Sequence, residues 1–205
     1  MLNTKLTDIT AGFTTASSLE DVRRELAKCA TNFGCRQYTY VFVDIGLRQD
    51  RSIADIESGA EFLTNLDPQW AKHYLDRRYF AIDPIVHACY RSRMPVVWSP
   101  ASAWPELDPD VMEMLVDAYN NGLRRGISVP IHGFAGNFGI FSLYAQFEEP
   151  DFQSWAENSS YEIQRFAFWF HDYFASRFSQ KPNCPAANLE IRFSHRPMTA
   201  SHTIH

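Results

Sequence analysis

Residues 127–147 read ISVPIHGFAGNFGIFSLYAQF, and the fold turns on this stretch. Two runs rich in β-branched and aromatic residues, Ile127–Ile131 and Phe138–Phe147, flank the glycine-bearing segment Gly133–Asn137. Such runs suit a pleated surface, and a connection this short joins neighbouring strands only in antiparallel fashion. The spacing predicts a hairpin and argues against a purely parallel Rossmann arrangement.

Upstream of the hairpin, Asp108–Asn121 is helical, with Val111, Met114, Leu115 and Ala118 on one face and Gly122 ending it. Downstream, Asp151–Phe178 is the longest helical stretch. The chain also opens on helices: Ser17 and Glu20 form a candidate capping box, followed by Leu19, Val22, Leu26, Ala30 and Phe33 at helical spacing, with Gly34 as the stop. Tyr38–Ile45 reads as a strand, Arg48–Gly59 as a polar loop and Ala60–Thr64 as a second, shorter strand. Pro68 opens a short helix carrying Trp70, Tyr74 and Leu75. Pro84, directly after Asp83, starts another that runs to about Ser92, and Pro95 leads into a brief strand, Val96–Trp98. Helices, then antiparallel strands, then helices predict an α+β fold whose sheet is covered on both faces.

The chain has 205 residues, a single-domain length, and 15% of them are aromatic, which calls for either a dense core or a ring-lined cavity. Its formal net charge of −5 supplies no basic field for nucleic acid or an anionic membrane. Cys29, Cys35, Cys89 and Cys184 are scattered without a CxxC pair, so free thiols are expected. No export signal and no apolar run of membrane-spanning length is visible, and a cytoplasmic protein is expected. From Ser179 the pattern dissolves, so residues 1–178 are expected to form the domain and 179–205 an irregular, flexible tail.

The common catalytic signatures (GxSxG, HExxH and GxxxxGK[ST]) do not occur. Gly133, Gly136 and Gly139 are spaced for a hairpin and not for a dinucleotide loop. Three of the seven histidines, His195, His202 and His205, lie in the tail; a metal site there is the minor alternative, and no metal or other cofactor is expected. A non-enzyme follows as the expectation.

One constellation stands out: W-x3-Y-x8-D-P-x13-W, formed by Trp70, Tyr74, Asp83 and Trp98. Trp70 and Tyr74 share a helix face, Asp83 caps the next helix, and Trp98 comes from a strand. A carboxylate only accepts hydrogen bonds and an indole N–H only donates, so the set suits a ligand with an amide N–H, a carbonyl and an apolar tail. Trp and Tyr one turn apart also serve packed cores, and Asp before Pro is also an ordinary cap. Spacing alone leaves core and cavity both open.

The segment WAKHYLDRRYFAIDPIVHACYRSRMPVVW (70–98) resembles the signature of the autoinducer-binding domain of LuxR-type quorum-sensing regulators, and GLRRGISVPIHGFAGNFGIFSLY (122–144) resembles that family's later core segment. The resemblance covers roughly residues 5–178 and keeps the mutual spacing of the two motifs. It implies an α/β/α sandwich around a five-stranded antiparallel sheet, PAS/GAF-like, with an N-acyl-homoserine lactone held between the sheet and one helical layer. It further implies that Trp70 donates to the lactone carbonyl and Asp83 accepts the amide N–H, that Tyr74 and Trp98 wall the head group, that Ser142 lies near the acyl carbonyl, and that Thr39 and Val41 line the tail.

Two departures from the family pattern matter. Leu66 stands where a tyrosine is common, removing a donor to the acyl carbonyl and keeping another amide or a ketone-bearing signal open. Only 27 residues follow Phe178, too few for the family's helix-turn-helix module, so no direct DNA contact is expected from this chain. A truncated gene and a natural stand-alone sensor are both compatible with that.

The last helix carries Ile163, Phe166, Trp169, Phe170, Tyr173, Phe174 and Phe178 over nearly half its circumference, with Phe168 amid its polar side. Phe168, Trp169 and Tyr173 are the candidate dimer interface, for a homodimer or a heterodimer with a full-length LuxR-type regulator. Three roles follow: a modulator acting through mixed dimers, a decayed regulator that binds signal only, or an enzyme acting on the lactone or amide. An empty pocket would leave Asp83 and both indole N–H groups unpaired, so ligand-coupled folding is the expected mechanism.

Overall fold

A computed structural model describes residues 6–44, 60–100, 107–133 and 137–178. In chain order the elements are α1 (Leu6–Thr10) with a 3-10 turn (Ala11–Thr14), α2 (Leu19–Asn32), β1 (Gln37–Asp44), β2 (Ala60–Thr64), α3 (Pro68–Asp76), a 3-10 turn (Tyr79–Ala81), α4 (Pro84–Arg91), β3 (Val96–Trp98), α5 (Pro109–Asn120), β4 (Gly126–His132), β5 (Asn137–Tyr144) and α6 (Asp151–Phe178). The expected loop 48–59 and the tail from 179 lie outside the described residues, as do Ile45 and Cys184. Cys29, Cys35 and Cys89 are free, buried thiols.

All five strands pair antiparallel in the order β2-β1-β5-β4-β3. The β4–β5 hairpin is the one expected from residues 127–147, although β5 ends at Tyr144, three residues early. Strand parity then divides the sheet. Tyr38, Tyr40 and Phe42 of β1, Ile127, Val129 and Ile131 of β4, and Phe141 and Leu143 of β5 face a single buried core with α2 and α6. The intervening residues face α3, α4 and α5.

That core is dominated by rings. Phe170 meets Tyr40 edge-on at 4.8 Å between centroids, and Phe166 meets Phe141 at 5.3 Å. The Tyr40 hydroxyl finds a partner in His171 Nδ1 at 3.0 Å, and burial holds His171 below its usual pKa, in the neutral form. Gly139 makes this possible: a Cβ there would lie 2.8 Å from the His171 ring.

The capping box of α2 is formed by Ser18 and Asp21, not by Ser17 and Glu20. The helix starts one residue later than the sequence pattern suggests, and Asp21 reaches back to the Ser17 and Ser18 backbone N–H groups. Leu19, expected on the buried face, is therefore in the first turn and exposed.

Helices α3, α4 and α5, which cover the other sheet face, share one local device. Each begins with Asp-Pro, the proline at the first helical position and the aspartate capping it: Asp67 accepts from Gln69 N at 2.7 Å, Asp83 from Ile85 N at 2.8 Å and Asp108 from Asp110 N at 3.0 Å.

Candidate ligand-binding site

Between the sheet and α3, α4 and α5 lies a cavity of about 170 Å³. Trp70, Tyr74, Asp83, Trp98, Ser142, Leu66, Thr39 and Val41 all line it, so the structure gathers every side chain of the expected site around one void. An apolar cavity of about 150 Å³ accommodates a benzene ring, which suits a compact head group. Leu75 of α3 lines the cavity and is also 41% exposed.

Asp83 is the polar centre. Its Oδ1 caps α4 and its Oδ2 accepts the Tyr74 hydroxyl at 2.8 Å. Burial raises its pKa above the ordinary carboxylate value, with the Tyr74 bond and the α4 amides pulling the other way. Burial and the neighbouring Asp83 push the Tyr74 phenol well above its usual range, which keeps it a donor.

Trp98 is buried, and its indole N–H donates to Ser128 Oγ at 3.1 Å. Gly126 lets the Trp98 ring lie close against β4, since a Cβ would stand 2.8 Å from the ring and 2.4 Å from the Leu143 carbonyl. The expectation that Asp83 and both indoles lack partners is corrected here. Asp83 is bonded through both oxygens and Trp98 through its nitrogen. Among the described residues only the Trp70 indole N–H, of the three, has no acceptor, and Trp70 is buried at 4% exposure.

Three polar residues of the cavity escaped the sequence reading: Thr64, Ser128 and Tyr144. With Thr39 and Ser142 they form a row of hydroxyls across four strands. Thr39 pairs with Thr64 at 3.0 Å, Tyr144 donates to Thr39 at 3.3 Å, and Ser128 meets Ser142 at 2.9 Å. Burial pushes the Tyr144 phenol up to about 12. Strand parity carried the missing signal for Tyr144: once Ser142 is placed on the cavity face, the residue two further on shares it.

Outside the cavity, α3 and α5 are clasped together. Asp117 of α5 receives Tyr79 OH at 2.6 Å and meets His73 Nε2 at 3.1 Å, and Arg77 pairs with Glu113. Among the described residues no group of three side chains could hold a metal ion, and no helix is long and apolar enough to cross a membrane.

The structure separates the three residues of the expected dimer face. Phe168 is 42% exposed, whereas Trp169 and Tyr173 are half-buried against Phe13, with ring centroids 5.4 Å and 5.6 Å away. The N-terminal turn covers them, and Tyr173 OH donates to the Phe13 carbonyl at 3.0 Å.

Residues 18–174 match the family model of the autoinducer binding domain. The chain belongs to that family. Its relatives include the transcriptional activator protein RaiR of Rhizobium etli, 29% identical over 116 residues, which cover 57% of this chain and 47% of RaiR. TraR of Agrobacterium vitis is 27% identical over 146 residues, covering 69% of this chain and 54% of TraR. The chain thus spans about half the length of the curated relatives it matches. Among solved structures, CepR2 from Burkholderia cenocepacia, described as an N-acylhomoserine lactone dependent LuxR family transcription factor, aligns with a TM-score of 0.63 at 23% identity, over 84% of this chain and 94% of that one. SdiA in complex with octanoyl-rac-glycerol aligns with a TM-score of 0.56 at 18% identity, over 79% of this chain and 62% of that one. Likeness at these identities concerns the fold. Signal binding and transcriptional regulation are the business of the LuxR-type autoinducer-binding family, and the relatives are regulators, not enzymes.

Proposed function

We propose that this chain binds an N-acyl-homoserine lactone in the cavity between the sheet and α3–α5, and modulates transcription by dimerising with a full-length LuxR-type regulator or with itself. The observation that carries the reading is that Asp83, an oriented acceptor, and Trp70, whose indole N–H has no partner among the described residues, line one largely apolar void. The amide N–H of the ligand goes to Asp83, the lactone carbonyl to Trp70 and the acyl carbonyl to the Ser142 end of the hydroxyl row. Tyr74 and Trp98 flank the head, and Thr39 and Val41 run beside the chain. Leu66 adds apolar surface and no donor. CepR2, described as lactone dependent, shares the fold.

Dimerisation runs through the outer side of α6, where Phe168 and Tyr161 are exposed one above the other, seven residues apart. Trp169 and Tyr173 contribute the edges that Phe13 leaves uncovered.

Thermal unfolding against a panel of acyl-homoserine lactones tests the binding. The native state gains RT ln(1 + [L]/Kd), so Tm rises with ligand concentration. Octanoyl-rac-glycerol belongs in the panel because it has no amide N–H for Asp83. Identical Tm values with and without every lactone overturn the reading. Co-expression with a tagged full-length regulator, followed by recovery of mixed dimers, tests the second half.

A further inference from the structure

We infer that the pocket selects a signal whose acyl chain carries a hydroxyl on the β-carbon over the matching ketone, with Thr39 and Tyr144 as the selecting residues. The inference rests on the lactone reading above and concerns the chain next to the head group.

It comes from counting protons along the hydroxyl row. Thr64 Oγ1 lies 2.9 Å from the Tyr38 carbonyl, which can only accept, so the Thr64 proton is committed there. In the 3.0 Å pair between Thr39 and Thr64, Thr39 is then the donor. The Tyr144 hydroxyl in turn donates to Thr39 Oγ1. Three O–H groups point the same way, toward Tyr38, and none is left to donate. Thr64 also accepts the Leu66 backbone N–H at 3.1 Å, which fills it. The capacity remaining at this end is the second lone pair of Thr39, since the Tyr144 oxygen also has the Ser142 hydroxyl beside it.

The other end of the row is different. Trp98 donates to Ser128, and Ser128 and Ser142 share one hydrogen bond. Two serine hydroxyls hold two protons and that bond uses one of them, so one stays available to a ligand oxygen. The cavity floor therefore offers a donor at the Ser128–Ser142 pair and an acceptor at Thr39.

Strand register sets the distance between them. Thr39 stands directly opposite Ser142 in the β1–β5 pair, and both line the cavity. Opposed residues of antiparallel strands have Cβ atoms about 5 Å apart. A carbonyl seated at the serine pair brings a substituent two carbons further along within reach of Thr39. A hydroxyl there donates into the free lone pair. A ketone only accepts, and must take the Tyr144 proton away from Thr39. The loss of one neutral hydrogen bond corresponds to a preference on the order of fivefold.

The test measures Kd for octanoyl-, β-ketooctanoyl- and both epimers of β-hydroxyoctanoyl-homoserine lactone. The wild-type chain is expected to bind one β-hydroxy epimer about fivefold tighter than the ketone. Thr39→Val keeps the shape of the side chain but frees the Tyr144 proton, so the order reverses in favour of the ketone. Tyr144→Phe added to that variant removes the ketone preference again. A wild-type chain that binds the ketone as tightly as both hydroxy epimers, or tighter, overturns the inference, and so does an unchanged ratio in Thr39→Val. Those outcomes leave lactone binding itself intact, whereas failure of all the lactones to bind removes the underlying reading as well.

Discussion

The Tyr74 hydroxyl donates to Asp83 Oδ2 at 2.8 Å while the opposite oxygen of the same carboxylate receives the Ile85 backbone N–H at 2.8 Å. One side chain is thereby fixed by two helices, α3 through a phenol and α4 through its first turn. An acceptor held this way is aimed before a ligand arrives, and little rotamer freedom is left to lose on binding.

Asp83 gives the protein a pH dependence of definite sign. Burial raises its folded-state pKa, so the folded chain keeps this proton at pH values where the unfolded chain has released it. Its contribution to the stability of the unliganded fold is most favourable below the ordinary carboxylate pKa and declines as pH rises through the raised one. Ligand affinity runs the other way. The carboxylate accepts an amide N–H more strongly than the neutral acid does, so in the proposed complex binding is tightest above the raised pKa and weakens as pH falls through it. Because the Tyr74 bond lowers that pKa, Tyr74→Phe is expected to shift the midpoint of the loss to higher pH. Calorimetric titration across a pH series checks both points, and an affinity that increases on acidification contradicts them.

Asp83→Asn separates binding from folding. Asparagine caps a helix as well as aspartate does, and it relieves the cost of a buried charge. The unliganded variant should keep its Tm or gain slightly. Lactone affinity should fall about tenfold to a hundredfold, the worth of a charge-assisted bond. Parallel melting curves and binding isotherms read the two effects independently.

Gly126→Ala should injure the fold through the site. Its Cβ would stand 2.4 Å from the Leu143 carbonyl and 2.8 Å from the Trp98 ring. Neither the sheet backbone nor a buried indole yields easily, and a loss of about 1–3 kcal/mol is expected in urea unfolding.

For the proposed dimer, Phe168→Glu is the sharper substitution, because Phe168 is exposed and its removal leaves the α6 core untouched. Sedimentation should show a shift toward monomer with Tm nearly unchanged. The same change at Trp169 should lower Tm, since that ring packs on Phe13 at 5.4 Å.

What the sequence made legible was local. The proline starts of α3 and α4, the β-branched and aromatic runs of β4 and β5 and the long apolar face of α6 each carry their meaning within a few residues. The four residues Trp70, Tyr74, Asp83 and Trp98 were legible through their spacing and the family resemblance. The donor accounting was not, because it depends on partners far away in the chain. Ser128 meets Trp98 and Ser142 only through strand register, and Thr64 meets Thr39 across 25 positions. The covering of Trp169 and Tyr173 was hidden for the same reason, since Phe13 is 160 residues from the hydroxyl that bonds it.

The division of the sheet by odd and even positions makes this domain sensitive to frame as well as to chemistry. In β5, Phe141 and Leu143 belong to the ring-filled interior while Ser142 and Tyr144 line the cavity. Deleting one residue anywhere ahead of them in that strand would turn Phe141 and Leu143 to the cavity and the hydroxyls to the interior, reversing the two faces of the strand. Substitution in β5 is therefore a route to a reshaped cavity, and insertion or deletion is a route only to collapse.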